Sequence, residues 1–125
     1  MDLRVFNDAP IGIALIGVIG DDRGRIVKVN RTLGALLAST PEELTGRTLC
    51  ELIHKEDRAR AADEFARMVS RTEVSCEGDG RLLAKDGGVR RVRVHADLLP
   101  TDGVARAVAI TRIVQIAELA GQPDG

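Results

Sequence analysis

The chain has 125 residues, 44% of them hydrophobic and 30% charged, and a formal net charge of −1 at pH 7. That length suits one domain burying about two thirds of its unfolded surface, and the composition is that of a folded globule rather than a disordered chain. A charge so close to zero sets up no global field toward nucleic acid or a membrane, and no apolar run approaches the ~18 residues of a bilayer span.

The start, Met1-Asp2-Leu3-Arg4, lacks the basic end and cleavage site of a signal peptide. Cys50 and Cys76 form no metal or redox spacing motif, so a cytoplasmic chain with reduced thiols is expected. Phe6 and Phe65 are the only aromatic residues, which leaves the core to Leu, Ile, Val and Ala.

In chain order, Val5 to Gly12 reads as a turn-rich lead-in with Phe6 placed to pack across a first strand. Ile13 to Gly20 is apolar nearly throughout, as in a strand covered on much of both faces. The charged turn Asp22-Arg23-Gly24-Arg25 and the apolar run Ile26 to Val29 complete a β-hairpin. Asn30 then stands where strand becomes helix, suited to accept an N–H of the next turn as an N-cap, and Leu33, Leu36 and Leu37 follow at helical spacing. Thr40 with Glu43 and Thr48 with Glu51 are two capping-box patterns, each opening a short helix, with Pro41 suited to the first helical position.

His54 to Asp57 is expected to begin one long helix running to about Arg71, with Ala61, Phe65, Met68 and Val69 as its apolar stripe. Arg60 with Glu64 and Asp63 with Arg67 are i,i+4 pairs on its wet side. The remainder reads as strand: Val74 to Lys85, a turn at Asp86-Gly87-Gly88, Val89 to Leu99, a turn at Pro100 to Gly103, and Val104 to Ile113. The middle strand alternates Val92, Val94, Ala96 and Leu98 with Arg91, Arg93, His95 and Asp97. Gly78 and Gly80 lie inside a strand and imply a bulge or a close approach of another group, with a ligand entrance as the sharper reading. Val114 to Leu119 reads as ambiguous, with a helix as one possibility. Two strands, a run of helices and three strands make an α+β fold: a five-stranded antiparallel sheet with short helices and one long helix packed on one face.

The sequence resembles the PAS domain family over about Phe6 to Ile113. The resemblance is carried by Asn7-Asp8-Ala9-Pro10-Ile11-Gly12-Ile13, Asp22 with Gly24-Arg25-Ile26, Asn30, Glu42 to Arg47, His54 with Glu56-Asp57-Arg58, and Arg81-Leu82 with Lys85-Asp86-Gly87. It implies a lead-in or cap over 1–12, the PAS domain over 13–113 and a linker or tail over 114–125. PAS domains are sensory and interaction modules, usually attached to a kinase, a cyclic-dinucleotide enzyme, a phosphatase or a transcription regulator, and they often dimerise. Some hold haem, flavin or a metabolite between sheet and long helix. Three positions depart from the family pattern: Arg91 replaces a common aromatic, Lys55 replaces a proline, and Arg112-Ile113-Val114 stands near where Asp-Ile-Thr usually closes the domain.

The cofactor-bearing readings find no residues. Cys50 falls one position later than the reactive cysteine of the light-sensing members, and a helix turns about 100° per residue, so the thiol is aimed away from a flavin. The stretch Asp57 to Arg71 contains no imidazole to ligate haem, His54 reads as a cap or a water-facing residue, and His95 lies on a charged strand face. No Ser-His-Asp or metal-ligand spacing assigns catalysis, so the chain is expected not to be an enzyme and to hold no metal, haem or flavin. The Arg90-Arg91-Arg93 cluster has no aromatic beside it and reads as a solvated face rather than a nucleic-acid patch.

What remains is a signal-transduction module that dimerises and relays a conformational state to an output domain. The alternative is a sensor holding an apolar metabolite or fatty acid between sheet and long helix. Leu36, Leu52, Ile53, Phe65, Met68, Val69, Leu83 and Val94 are the candidate pocket lining, and Phe6, Ala105, Ala107 and Ala109 the candidate dimer surface.

Overall fold

A computed structural model describes residues 3–18, 20–70, 75–99 and 108–118. Its elements are α1 (Leu3–Asp8), β1 (Gly12–Gly17), β2 (Ile26–Val29), α2 (Arg31–Leu36), α3 (Pro41–Leu44), α4 (Leu49–Leu52), α5 (Arg58–Val69), β3 (Ser75–Leu83), β4 (Val89–Leu98) and β5 (Val108–Glu118). The strands form one sheet in the order β2-β1-β5-β4-β3, every pair antiparallel. This is the expected α+β architecture. The last strand enters at the centre, between the first hairpin and the third and fourth strands.

Helices α2 to α5 cover one face. Leu33, Leu37, Leu44 and Leu52 from the short helices pack with Ala14, Ile16, Ile26, Leu82, Val92 and Ile113 from the sheet. A second, smaller cluster gathers Met68 of α5 with Val18, Ala96, Leu98 and Ala109. Both capping boxes form as the sequence implies: Thr40 accepts from the Glu43 N–H and Thr48 from the Glu51 N–H, while each glutamate reaches back to its threonine N–H. Within α2, a Cβ at Gly34 would lie 2.7 Å from the Ser39 carbonyl oxygen, so only glycine lets the chain fold back there.

Asn30 does more than cap α2. It is fully buried, and its Oδ1 accepts from the N–H of Leu33 at 3.0 Å and of Ile13 at 2.9 Å. Its Nδ2 donates to the carbonyls of Phe6 at 2.9 Å and Ile11 at 3.0 Å. One side chain thus joins α1, the lead into β1, β1 itself and α2.

Several expectations change. The lead-in is not a series of turns but the helix α1, too short to hold alone in water and docked through the Phe6 carbonyl. The Lys28 ammonium lies 5.1 Å from the Phe6 ring centroid; Lys28 alternates with the buried Val29, so α1 covers the opposite face of the sheet. The long helix begins later than expected. Lys55–Asp57 is a 3-10 turn, capped by His54 Nδ1 accepting from the Glu56 N–H, and α5 starts at Arg58.

No bulge occurs at Gly78 or Gly80, for β3 pairs with β4 in unbroken register from Ser75–Asp97 to Leu83–Val89. β5 extends to Glu118, pairing as far as Arg90–Glu118 across a bulge, so residues 114–118 belong to the sheet rather than to a helix or tail. Arg90 is not part of a solvated face. It donates to the Leu36 carbonyl at 3.0 Å and pairs with Asp86 at 2.9 Å.

Replacing Asn30 with Ala removes four hydrogen bonds and strands buried partners. The expected loss is about 3–4 kcal/mol at ~1 kcal/mol per bond, a large share of a typical domain's stability. Urea unfolding measures it; a loss under about 1 kcal/mol would show that the lead-in is held by other contacts.

Candidate functional site

Between α5 and the inner face of the sheet lies a cavity of about 110 Å³. Ala61, Phe65 and Met68 of α5 form its roof, Val92, Val94, Ala96, Thr111 and Ile113 its floor, and Leu49 and Ile53 one end. Gly78, Gly80 and Leu82 of β3 form the opposite side. Among the described residues, Thr111 is the only hydroxyl residue in this lining. It is 2% exposed and makes no side-chain hydrogen bond among the described residues. Because every fully enclosed side-chain polar atom among those residues has a partner, the Thr111 hydroxyl must border the open space.

Charges gather at the rim on the β3 side and neutralise one another. Arg60 pairs with Glu64 at 3.2 Å and donates to the Asp79 carbonyl at 2.8 Å, strapping α5 to β3. The two strand glycines make room for this. A Cβ at Gly78 would sit 3.3 Å from Glu64 Oε2 and 3.5 Å from Arg60 Nη1. Asp57 receives three hydrogen bonds from Arg81, from its N–H at 3.0 Å, Nε at 3.1 Å and Nη2 at 2.9 Å. The Arg81 guanidinium holds the Asp57 carboxyl below its ordinary value against the opposing pull of burial. Among the described residues no group of three His, Cys, Asp or Glu is arranged to hold a metal, and no helix is long and apolar enough to cross a membrane.

On the other face of the sheet, Arg93 forks onto Asp79 at 2.9 and 3.4 Å. Arg112 meets Asp97 at 2.9 Å, and His95 lies between Glu77 and Asp97 at 3.2 Å from each. These side chains form a cross-strand ion network, not a row of free cations.

The PAS fold family model matches residues 4–103. The chain belongs to the PAS family. Solved PAS domains share its fold at low identity. One from Colwellia psychrerythraea superposes with a TM-score of 0.79 at 18% identity, covering 90% of this chain and 92% of that one. The PAS domain of a LuxR-family transcriptional regulator from Burkholderia thailandensis, in complex with ethanol, gives 0.70 at 21% identity, with 93% and 98% covered. The LOV domain of a blue-light activated histidine kinase from Erythrobacter litoralis gives 0.74 at 16%, with 86% and 96% covered. No curated protein matches the sequence.

Of the lining expected for this PAS domain, Ile53, Phe65, Met68 and Val94 reach the cavity. Leu36 and Leu52 pack in the main core, and Val69 in the second cluster. Leu83 belongs to the face opposite Leu82, because successive strand residues alternate sides. The signal for Leu82 was the Gly78-x-Gly80-x-Leu82 spacing, which puts the helix-facing glycines and the cavity leucine on one parity. Thr111 and Ile113 were missed because their side depends on how β5 enters the sheet.

The dimer candidates fare differently. Phe6 is 2% and Ala109 1% exposed, so both are covered within the chain. Ala105 and Ala107 lie outside the described residues.

A depressed carboxyl stabilises the fold above its unfolded-state value, and that stabilisation disappears as pH falls through the folded-state value. Asp57→Asn should therefore melt below the parent at neutral pH, and the gap should close only as pH falls below 3.8, the ordinary value. Melting curves across an acid series test this; a pH-independent gap would assign Asp57 a packing role alone.

Proposed function

We propose that this PAS domain is the sensory module of a signalling protein: its cavity takes a small, mostly apolar molecule with one hydrogen-bonding group, and the occupied state is relayed to an attached output domain. The observation that carries this is the unpartnered Thr111 hydroxyl facing an apolar cavity of about 110 Å³. The hydroxyl borders that space without a protein partner, and a ligand oxygen there would supply one. An engineered apolar cavity of about 150 Å³ accommodates benzene, so the occupant has only a few non-hydrogen atoms, and a long fatty acid exceeds the space. The ethanol complex of the Burkholderia regulator's PAS domain supports a ligand of this scale. A blue-light activated histidine kinase and a LuxR-family regulator illustrate the outputs to which such a fold is joined.

The reading needs neither haem nor flavin. No imidazole lines the cavity, and Cys50 lies outside the lining. It is a binding role rather than a catalytic one. The sheet and α5 meet around the cavity, so an occupant that shifts α5 alters the Arg60 strap to β3.

Short alcohols and ketones should raise the melting temperature by mass action. Thr111→Val should weaken that binding about fivefold, the worth of one hydrogen bond. A flat thermal-shift screen with a clean apo mass under native ionisation would overturn the sensory reading.

A second copy is the proposed partner, with a different surface from the one expected. Val114 and Ile116 near the end of β5 are 43% and 42% exposed, and exposed apolar groups in proximity favour association. Ile116→Lys should shift sedimentation at micromolar concentration from dimer to monomer. A parent that sediments as a monomer would end the dimer proposal without touching the cavity.

A further inference from the structure

Adjoining the cavity, and sharing Ile16, Leu49, Ile53, Ala61 and Phe65 with it as a common wall, runs a groove of about 430 Å³ between α4, the first turns of α5 and the turn joining β1 to β2. Leu49, Ile53, Ala61 and Phe65 give it an apolar floor. Among the described residues, its only charged lining groups are Arg23 and Arg58. We propose that this groove binds an organic monocarboxylate, its head on the two guanidinium groups and its alkyl or aryl tail on that floor.

Both arginines lack an ion pair among the described residues. Arg58 donates Nε to the Ile53 carbonyl at 2.9 Å, which fixes its orientation and leaves its terminal amino groups without partners. The Arg23 guanidinium stands 6.0 Å from the Phe65 ring centroid and makes no side-chain hydrogen bond. The carboxylates of α4, of the 3-10 turn and of the first turns of α5 that lie toward the groove are engaged elsewhere: Glu51 with Thr48 and Arg47, Glu56 and Asp57 with Arg81, Glu64 with Arg60. Arg58 moreover occupies the first turn of α5, where the helix dipole disfavours a cation and attracts an anion. The groove's described lining thus holds two cations and no carboxylate in a chain of net charge −1.

Apolar floor and two guanidiniums together select the ligand. An inorganic anion would leave the floor wet and gain little more than a surface ion pair. A neutral apolar molecule would leave the arginines unpaired. A carboxylate with a short tail uses both, and Arg–carboxylate bonds are short, charge-assisted and often bidentate. The inner cavity shares this apolar wall, but its rim arginines are paired with carboxylates, so the two sites take different head groups. This inference stands apart from the sensory reading of that cavity.

The test is calorimetric titration of the full chain with hexanoate, 1-hexanol and acetate. Hexanoate is expected to bind about tenfold more tightly than either comparison ligand, the equivalent of ~1.4 kcal/mol. Arg23→Gln, at an exposed position, should lower hexanoate affinity about tenfold on the same scale while leaving the melting temperature unchanged. Arg58→Gln should act alike and Arg58→Lys should recover part of the loss; if Arg58→Gln unfolds the chain, Arg23→Glu replaces it. Hexanol binding as tightly as hexanoate, no hexanoate binding, or an affinity that both glutamine variants leave intact overturns the proposal. Hexanoate affinity that falls with Thr111→Val instead assigns it to the inner cavity and also overturns it. Failure of the short-alcohol screen leaves this result untouched, so the two readings are separable.

Discussion

The fold depends on one buried amide. Asn30 satisfies both its donors and two lone pairs on groups from three parts of the chain, which only an uncharged carboxamide of that length can do. A carboxylate there would face two carbonyl oxygens without a proton to offer, and an aliphatic residue would leave buried backbone groups unpaired. Through that side chain the docking of α1, the start of β1 and the start of α2 form one cooperative unit. The Asn30 N–H also bonds back to the Ile13 carbonyl, so the hairpin closes at the same place the first helix opens.

With that corner tied, β1 is set beside β5, and β5 determines what the helices can cover. Ala109, Thr111 and Ile113 face inward along it, and Phe65 and Met68 of α5 lie opposite. Two phenylalanines are the whole aromatic content. A core of branched aliphatic residues and alanines over a sheet with two inward glycines leaves a void where larger rings would close-pack. The Arg60 strap to β3 lies across one side of that void and Phe65 borders the other.

Charge divides the molecule as cleanly as hydrophobicity does. Around the cavity and across the outer sheet face, arginines meet carboxylates in pairs or ladders: Arg60 with Glu64, Arg81 with Asp57, Arg93 with Asp79, Arg112 with Asp97. At the groove beside α4 the pairing stops: Arg23 and Arg58 make no ion pair among the described residues. A near-neutral sequence thus holds a recess lined by two arginines over an apolar floor. Net charge describes long-range attraction and is silent about such local imbalance.

The sequence by itself determined everything set by short-range chemistry. The capping boxes at Thr40 and Thr48, the role of Asn30 at the start of α2, the alternation of β4 and the apolar stripe of α5 were legible because each depends on residues a few positions apart. They sufficed for the α+β architecture and, on the helix side of the cavity, for Phe65 and Met68 but not for Leu36, Leu52 and Val69, which pack elsewhere. The tertiary structure alone decided what depends on partners far along the chain. Whether Leu82 or Leu83 faces inward follows from β3's register against β4, and Thr111 becomes a cavity residue only because β5 inserts between β1 and β4. Phe6, which local pattern offered both for packing across the first strand and for a dimer surface, is buried, and Asn30, twenty-four residues later, holds its carbonyl. Arg23 and Arg58 share a groove for the same reason: packing, not spacing, brought them together.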